Sequence, residues 1–132
     1  MTELPNAASV ALVDRDRILL IQRGREPWKG MWSLPGGRLE PGEDAEACAI
    51  RELGEEICVV PARLRPVCLL RTGSAGRYLL QVYATHTFAG DIIANDEIAD
   101  WRWASIAEAG LLETTPHLVE VLRDALAVAQ AD

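Results

Sequence analysis

Lysine is almost missing from this 132-residue chain, which has one, Lys29, among 13 basic residues against 20 acids, for a net charge of −7. A surface that binds nucleic acid needs clustered cations, and here the arginines are scattered. Neither a nucleic-acid polymer nor an anionic membrane surface is therefore an expected partner. No apolar run approaches the roughly 20 residues needed to cross a bilayer. The start, Met1 to Asn6, carries Glu3 and Pro5 and lacks the basic-then-apolar order of a secretory signal, so a cytoplasmic location is expected. Cysteine is sparse: Cys48, Cys58 and Cys68 form no Cys-x-x-Cys pair and are odd in number. This argues against a disulfide framework or zinc site and for reduced thiols that pack as small apolar residues. Aromatic content is 5%, although four of the seven aromatics are tryptophan, Trp28, Trp32, Trp101 and Trp103. Internal repeats, low-complexity tracts and linker-like stretches are lacking too, which leaves one domain over residues 1–132.

What is abundant is acid in one place. Six carboxylates (Glu43, Asp44, Glu46, Glu52, Glu55, Glu56) fall between residues 43 and 56, against the single base Arg51. The same stretch reads as a helix over Glu43 to Ile57, because Ala45, Ala49, Leu53 and Ile57 recur every four residues as one apolar stripe. Val10 to Val13 and Ile18 to Ile21 read as strands on either side of the turn Asp14-Arg15-Asp16. Residues 24–42 hold five glycines and three prolines and read as a long loop without regular structure, a length that in a compact domain usually serves function. Val67 to Leu70, Tyr78 to Thr87 and Trp101 to Ala104 read as further strands. Pro116 to Gln130 reads as a closing helix with Leu118, Val121, Leu122, Ala125 and Leu126 inward. Strands before and after one central helix, with a second helix last, predict an α/β fold: a mixed sheet between helices.

On the central helix Glu52, Glu55 and Glu56 stand at i, i+3 and i+4, so their side chains share one side. Like charges at that spacing repel by roughly 0.2–0.5 kcal/mol per pair. A hard divalent cation would convert the repulsion into coordination, since Mg²⁺ combines one or two carboxylates with substrate phosphates. The plainer reading is a solvated acidic helix face. Just upstream, however, Gly36-Gly37 permits close backbone approach to a ligand, Pro35 stiffens its entry, and Pro41-Gly42 turns the chain into Glu43.

Gly37, five residues, Glu43, seven residues, then Arg51-Glu52-Leu53-Gly54-Glu55-Glu56-Ile57-Cys58-Val59 resembles the Nudix box, and eight of its nine specified positions fit. The segment from Gly30 to Gly37 also looks like the stretch that commonly precedes the box. The resemblance implies an α/β/α sandwich and a pyrophosphohydrolase in which activated water attacks phosphorus in a nucleoside diphosphate linked to another group. It implies Mg²⁺ or Mn²⁺ as cofactor, held by Glu52 and Glu56, with Glu55 as a direct or water-mediated ligand and the Gly36 carbonyl completing the site. Arg51 and Glu43 would pair to brace the loop on the helix, with Gly37 as structural support. The general base would be Glu52 or Glu97, the latter in the acidic loop Asn95-Asp96-Glu97. The partner would be a small nucleotide, and family members often form homodimers.

One position departs from the pattern: Cys58 stands where the motif has a helix-ending glycine. Substrate is carried by weaker signals. Arg23-Gly24-Arg25-Glu26-Pro27-Trp28 resembles the equivalent stretch of ADP-ribose pyrophosphatases, making Arg23 and Trp28 candidate substrate-binding residues and an ADP-ribose-like substrate the first expectation. A nucleoside triphosphate is the second. A Nudix domain that binds nucleotide without turnover is the third, disfavoured by intact Arg51, Glu52, Glu55 and Glu56. His86 and His117 belong to no motif and read as structural.

Overall fold

A computed structural model describes residues 3–131. The strands are β1 (Ala7–Asp14), β2 (Arg17–Arg23), β3 (Trp32–Ser33) and β4 (Gly36–Arg38), followed by helix α1 (Ala45–Ile57). Then come β5 (Val60–Pro61), β6 (Arg65–Thr72), β7 (Tyr78–Thr85), β8 (Phe88–Ala89) and β9 (Ile98–Ala104), and the helices α2 (Ile106–Ala109) and α3 (Leu118–Gln130). The order β3-β2-β1-β7-β6 runs across the main sheet, with β4 added to β1 and β9 to β2. β1 lies parallel to β7 and antiparallel to β2 and β4, so the sheet is mixed.

The period of two along a strand explains the layers. Val10, Leu12, Leu19 and Ile21 pack with Ala49, Leu53 and Ile57 of α1. Their alternates Ala11, Val13, Ile18 and Leu20 pack with Val121, Leu122 and Ala125 of α3. A sheet covered on both faces has no need of polar alternation, which is why β1 and β2 read as near-continuous apolar runs.

The loop expected over residues 24–42 contains two short strands instead. β3 pairs with β2 and β4 with β1, in the register Ala7↔Arg38, Ala8↔Gly37, Ser9↔Gly36. Backbone hydrogen bonds to distant strands, not local propensity, make these residues extended. The central helix starts two residues later than expected, because Asp44 caps it by accepting from the Ala47 N–H at 2.8 Å. α3 likewise begins at Leu118 rather than Pro116, after His117 in a left-handed conformation, and Leu126 is half-buried rather than in the core.

The last turn of α1 places Cys58 at φ 60°, ψ 33°, the left-handed conformation usually given to glycine. Its N–H donates to the Gly54 carbonyl at 3.2 Å, which closes the helix. A Cβ in that region costs roughly 1–2 kcal/mol. Cys58→Gly should relieve it, against about 0.4–1 kcal/mol of added freedom in the unfolded chain. The expected outcome is a net stabilisation of up to about 1 kcal/mol, seen as a melting midpoint a few degrees higher. A lower midpoint for the glycine variant would mean that residue 58 bears no such strain.

Candidate active site

The sheet register delivers Gly36 and Gly37 onto the acidic face of α1. The Gly36 N–H donates to Glu56 Oε1 at 2.7 Å. A Cβ on Gly37 would lie 2.6 Å from Glu52 Oε1, so the strand passes directly against that carboxylate and a side chain there would displace it. The Gly37 carbonyl accepts from the buried Cys48 Sγ at 3.5 Å.

Arg51 organises the acids around it. Its Nε and Nη2 form a bidentate pair with Glu43 at 2.8 and 2.9 Å, and Nη2 also donates to the Arg38 carbonyl at 3.1 Å. Nη1 donates to Glu52 at 2.9 Å and to Glu55 at 3.1 Å. The guanidinium holds the Glu43 carboxyl down at about 2, and its own pKa is raised in return. One side chain thus ties the loop before the helix to the helix itself.

Glu56 is in the opposite condition. It is 7% exposed, and burial pushes its carboxyl up to about 8, with the nearby Glu52 and Glu97 charges adding to the rise. The Gly36 N–H and Arg23 oppose it. Burial also raises the Glu52 carboxyl, against the pull of Arg51. Two carboxylates that ionise reluctantly, side by side, form a site short of positive charge.

Glu52, Glu56 and Glu97 all face one cleft of about 500 Å³, within the size range of small-molecule sites. Arg23, Arg25, Trp28, Gly36 and Gly37 line it too. Glu97 arrives there because Asn95 fastens its loop to the end of α1. The Asn95 backbone N–H donates to the Glu56 carbonyl at 2.8 Å, and its side-chain amide donates to the Glu55 carbonyl at 3.1 Å. Its Oδ1 accepts from the Glu97 N–H at 2.9 Å. The Glu97 carboxylate pairs with Arg25 Nη1 at 3.3 Å, and its carbonyl accepts from the Gly24 N–H at 2.9 Å. Arg23 Nε donates to the Pro27 carbonyl at 2.6 Å, and Trp28 sits at φ 61° on the cleft wall.

Of the residues singled out in the sequence, Arg23, Trp28, Gly36, Gly37, Glu52, Glu56 and Glu97 therefore share the cleft, and Arg51 and Glu43 stand behind it. Glu55 is set apart, with its carboxylate directed to Arg51 and more than half exposed. Among the described residues no three His, Cys, Asp or Glu side chains already converge on one point. The donor set still suits a hard divalent cation, which needs only one or two carboxylates beside phosphate oxygens and water. Arg25, Asn95 and Cys48 are named in the sequence reading but given no role in the site there. The Asn-x-Glu spacing of an Asx turn was the available signal for Asn95.

A mixed sheet between helices thus carries Glu52 and Glu56 of α1 in the lining of a cleft shared with Gly36 and Gly37. The NUDIX domain model matches residues 3–125, and the chain belongs to the Nudix hydrolase family. It is 25% identical to the uncharacterised Nudix hydrolase YvcI of Bacillus subtilis (strain 168), over 92% of this chain and 81% of that one. It is 41% identical to the ADP-ribose pyrophosphatase of Methanocaldococcus jannaschii, over 43% of this chain and 34% of that one. The crystal structure of the MutT NUDIX hydrolase from Burkholderia pseudomallei superposes with a TM-score of 0.81 at 26% identity, covering 95% of this chain and 99% of that one. None of the α-helices among the described residues is long and apolar enough to cross a membrane.

Proposed function

We propose that this protein is a divalent-metal-dependent pyrophosphohydrolase that cleaves ADP-ribose-like substrates to AMP and a sugar phosphate. The observation that carries the reading is that Glu52, Glu56 and Glu97 line one cleft together with Arg23, Arg25 and Trp28. Glu52 and Glu56 would hold the Mg²⁺ or Mn²⁺, with Glu55 reached through water and the Gly36 carbonyl as a further donor. When bound, such a cation neutralises charge on the pyrophosphate oxygens and acidifies water.

The remaining work falls to the chain. Arg23 and Arg25 at the rim supply positive charge for the substrate's phosphates, and Trp28 offers a flat apolar wall. A water oxygen bonds to phosphorus while the anhydride P–O bond breaks, and the water's proton passes to a carboxylate. Glu52 and Glu97 are the candidates for that base. Arg51 and Glu43 act indirectly, by fixing Glu52 and the Gly37 strand relative to each other.

Likeness to an ADP-ribose pyrophosphatase, and the Arg23 to Trp28 segment on the cleft wall, support ADP-ribose first. Likeness to a MutT hydrolase supports a nucleoside triphosphate as the alternative. Steady-state kinetics on both substrate classes with Mg²⁺ decide between them. ADP-ribose should give AMP and ribose 5-phosphate with the higher kcat/KM. A tenfold advantage for any triphosphate would replace this substrate assignment with the alternative.

A further inference from the structure

Two loops of the cleft, residues 23–31 and 95–98, are fixed to each other at the backbone. The first is closed on itself, with the Arg23 N–H donating to the Met31 carbonyl at 2.9 Å and the Gly30 N–H to the Arg23 carbonyl at 2.8 Å. Gly24 then packs directly on the second, where an added Cβ would lie 2.7 Å from the Glu97 carbonyl oxygen. Asn95 fastens that second loop to α1. What remains free to move is the pair of side chains that bridges the loops. Arg25 Nη1 meets Glu97 Oε1 at 3.3 Å, with the two side chains 61% and 50% exposed.

The arginines around the cleft are tied down to very different degrees. Arg51 is 21% exposed and spends its guanidinium on Glu43, Glu52, Glu55 and the Arg38 carbonyl. Arg23 Nε is held by the Pro27 carbonyl. Arg25 makes one hydrogen-bonded ion pair among the described residues, through one nitrogen, and leaves the rest of its fork unused. The other acid of its loop, Glu26, accepts instead from the Lys29 N–H at 3.1 Å. An exposed, single-contact pair contributes little, and exposed side chains change rotamer quickly. Phosphate oxygens offer a guanidinium a bidentate and more highly charged acceptor. Because Arg25 and Glu97 line the same cleft as Glu52 and Glu56, a diphosphate there competes with Glu97 for Arg25.

We propose that Arg25 is a positioning residue that exchanges partners: it holds the Glu97 carboxylate in the free protein and passes to the substrate's pyrophosphate when that group enters, releasing Glu97. Arrival of the phosphates is thereby coupled to the release of one of the two candidate bases. The inference rests on the reading of the cleft as a pyrophosphate site, without depending on which nucleotide carries that group.

Inorganic pyrophosphate, titrated by NMR in excess EDTA, separates the exchange from turnover. The proteins are wild type, Arg25→Gln, Glu97→Gln and the double variant. Both side chains are half or more exposed, so all four should melt within a few degrees of one another. Glu97→Gln removes a like charge in either background and should tighten pyrophosphate in both. Where Arg25 is present, the substitution also frees the guanidinium. The tightening there should be about twofold to fivefold greater than in Arg25→Gln, the worth of an exposed ion pair. Arg25→Lys keeps the charge without the fork, and its affinity should fall between wild type and Arg25→Gln. A difference between the two backgrounds smaller than about twofold, which is additivity, would overturn the exchange. So would failure of all four proteins to bind pyrophosphate. Anhydride cleavage is scored separately with Mg²⁺. Additive binding with cleavage intact sinks the exchange alone, whereas coupled binding with no anhydride cleaved keeps the exchange and sinks the hydrolase reading.

Discussion

Gly36→Ala and Gly37→Ala, one residue apart, should fail in different ways. A Cβ on Gly36 would lie 2.2 Å from the Ala8 carbonyl oxygen and 2.7 Å from the Ser9 Cα, and backbone cannot move aside as a side-chain tip can. Overpacking typically costs about 1–3 kcal/mol and occasionally more, and a clash with backbone belongs at the upper end. The melting midpoint should fall by roughly 10 °C or more. A Cβ on Gly37 meets only the end of the Glu52 side chain. Glu52 can rotate away cheaply, but then it no longer faces the cleft as the proposed chemistry requires. Gly37→Ala should therefore stay within about a kilocalorie of wild-type stability while losing at least tenfold in kcat, since displacements near 1 Å are costly in a positioned site. Thermal melts and kinetics on the two variants check this. A stable, active Gly36→Ala protein would show that β4 does not lie where it has been described.

Replacing Glu56 should have equally large and opposite consequences for activity and for stability. Glu56→Gln is expected to lower turnover at least tenfold, because it removes a carboxylate assigned to the metal. In EDTA the same substitution should stabilise. The Glu56 carboxyl is held at about 8 in the fold against an ordinary 4.5. The folded protein therefore binds the proton more tightly than the unfolded chain does. Metal-free stability is then fully present below pH 4.5 and lost as pH rises through about 8. The loss is at most roughly 1.4 kcal/mol per pH unit over that interval. Glutamine carries no ionisable proton and should flatten this dependence. Denaturant midpoints for both proteins in EDTA, taken from pH 4.5 to 9, give the answer. Parallel curves would mean that the Glu56 carboxyl is not held protonated by its surroundings.

The sequence showed some of this plainly and concealed the rest for physical reasons. The apolar stripe Ala45, Ala49, Leu53 and Ile57 is local, recurs at helical spacing, and lies buried where it was expected. β1 and β2 were legible as apolar runs either side of a polar turn. β3 and β4 were not, because nothing within residues 24–42 makes them extended. Their partners in β2 and β1 do. The same holds for β5 and β8, whose pairing joins Val60 to Ala89.

Within the site, the Nudix spacing placed Arg51 and Glu43 together, and the structure gives them a bidentate pair. That Glu55 stays outside the cleft lined by Glu52 and Glu56 was invisible at i+3 and i+4 spacing alone. It depends on how deep the sheet edge sits against each carboxylate, and Glu56 is covered while Glu55 stays in solvent. Cys58 departed from the motif residue yet keeps a left-handed backbone, so the motif's geometry outlived its glycine.

The central claim is that the acidic cleft hydrolyses a pyrophosphate bond with a divalent cation. The most direct measurement incubates the purified protein with ADP-ribose and a panel of nucleoside diphosphate derivatives and triphosphates, with Mg²⁺ in excess over nucleotide or with excess EDTA, and identifies products by chromatography. Cleavage at the anhydride, with AMP and ribose 5-phosphate from ADP-ribose, present with Mg²⁺ and absent with EDTA, is the predicted result. Undiminished hydrolysis in EDTA, or no anhydride cleaved from any member of the panel with Mg²⁺ or Mn²⁺, would contradict it.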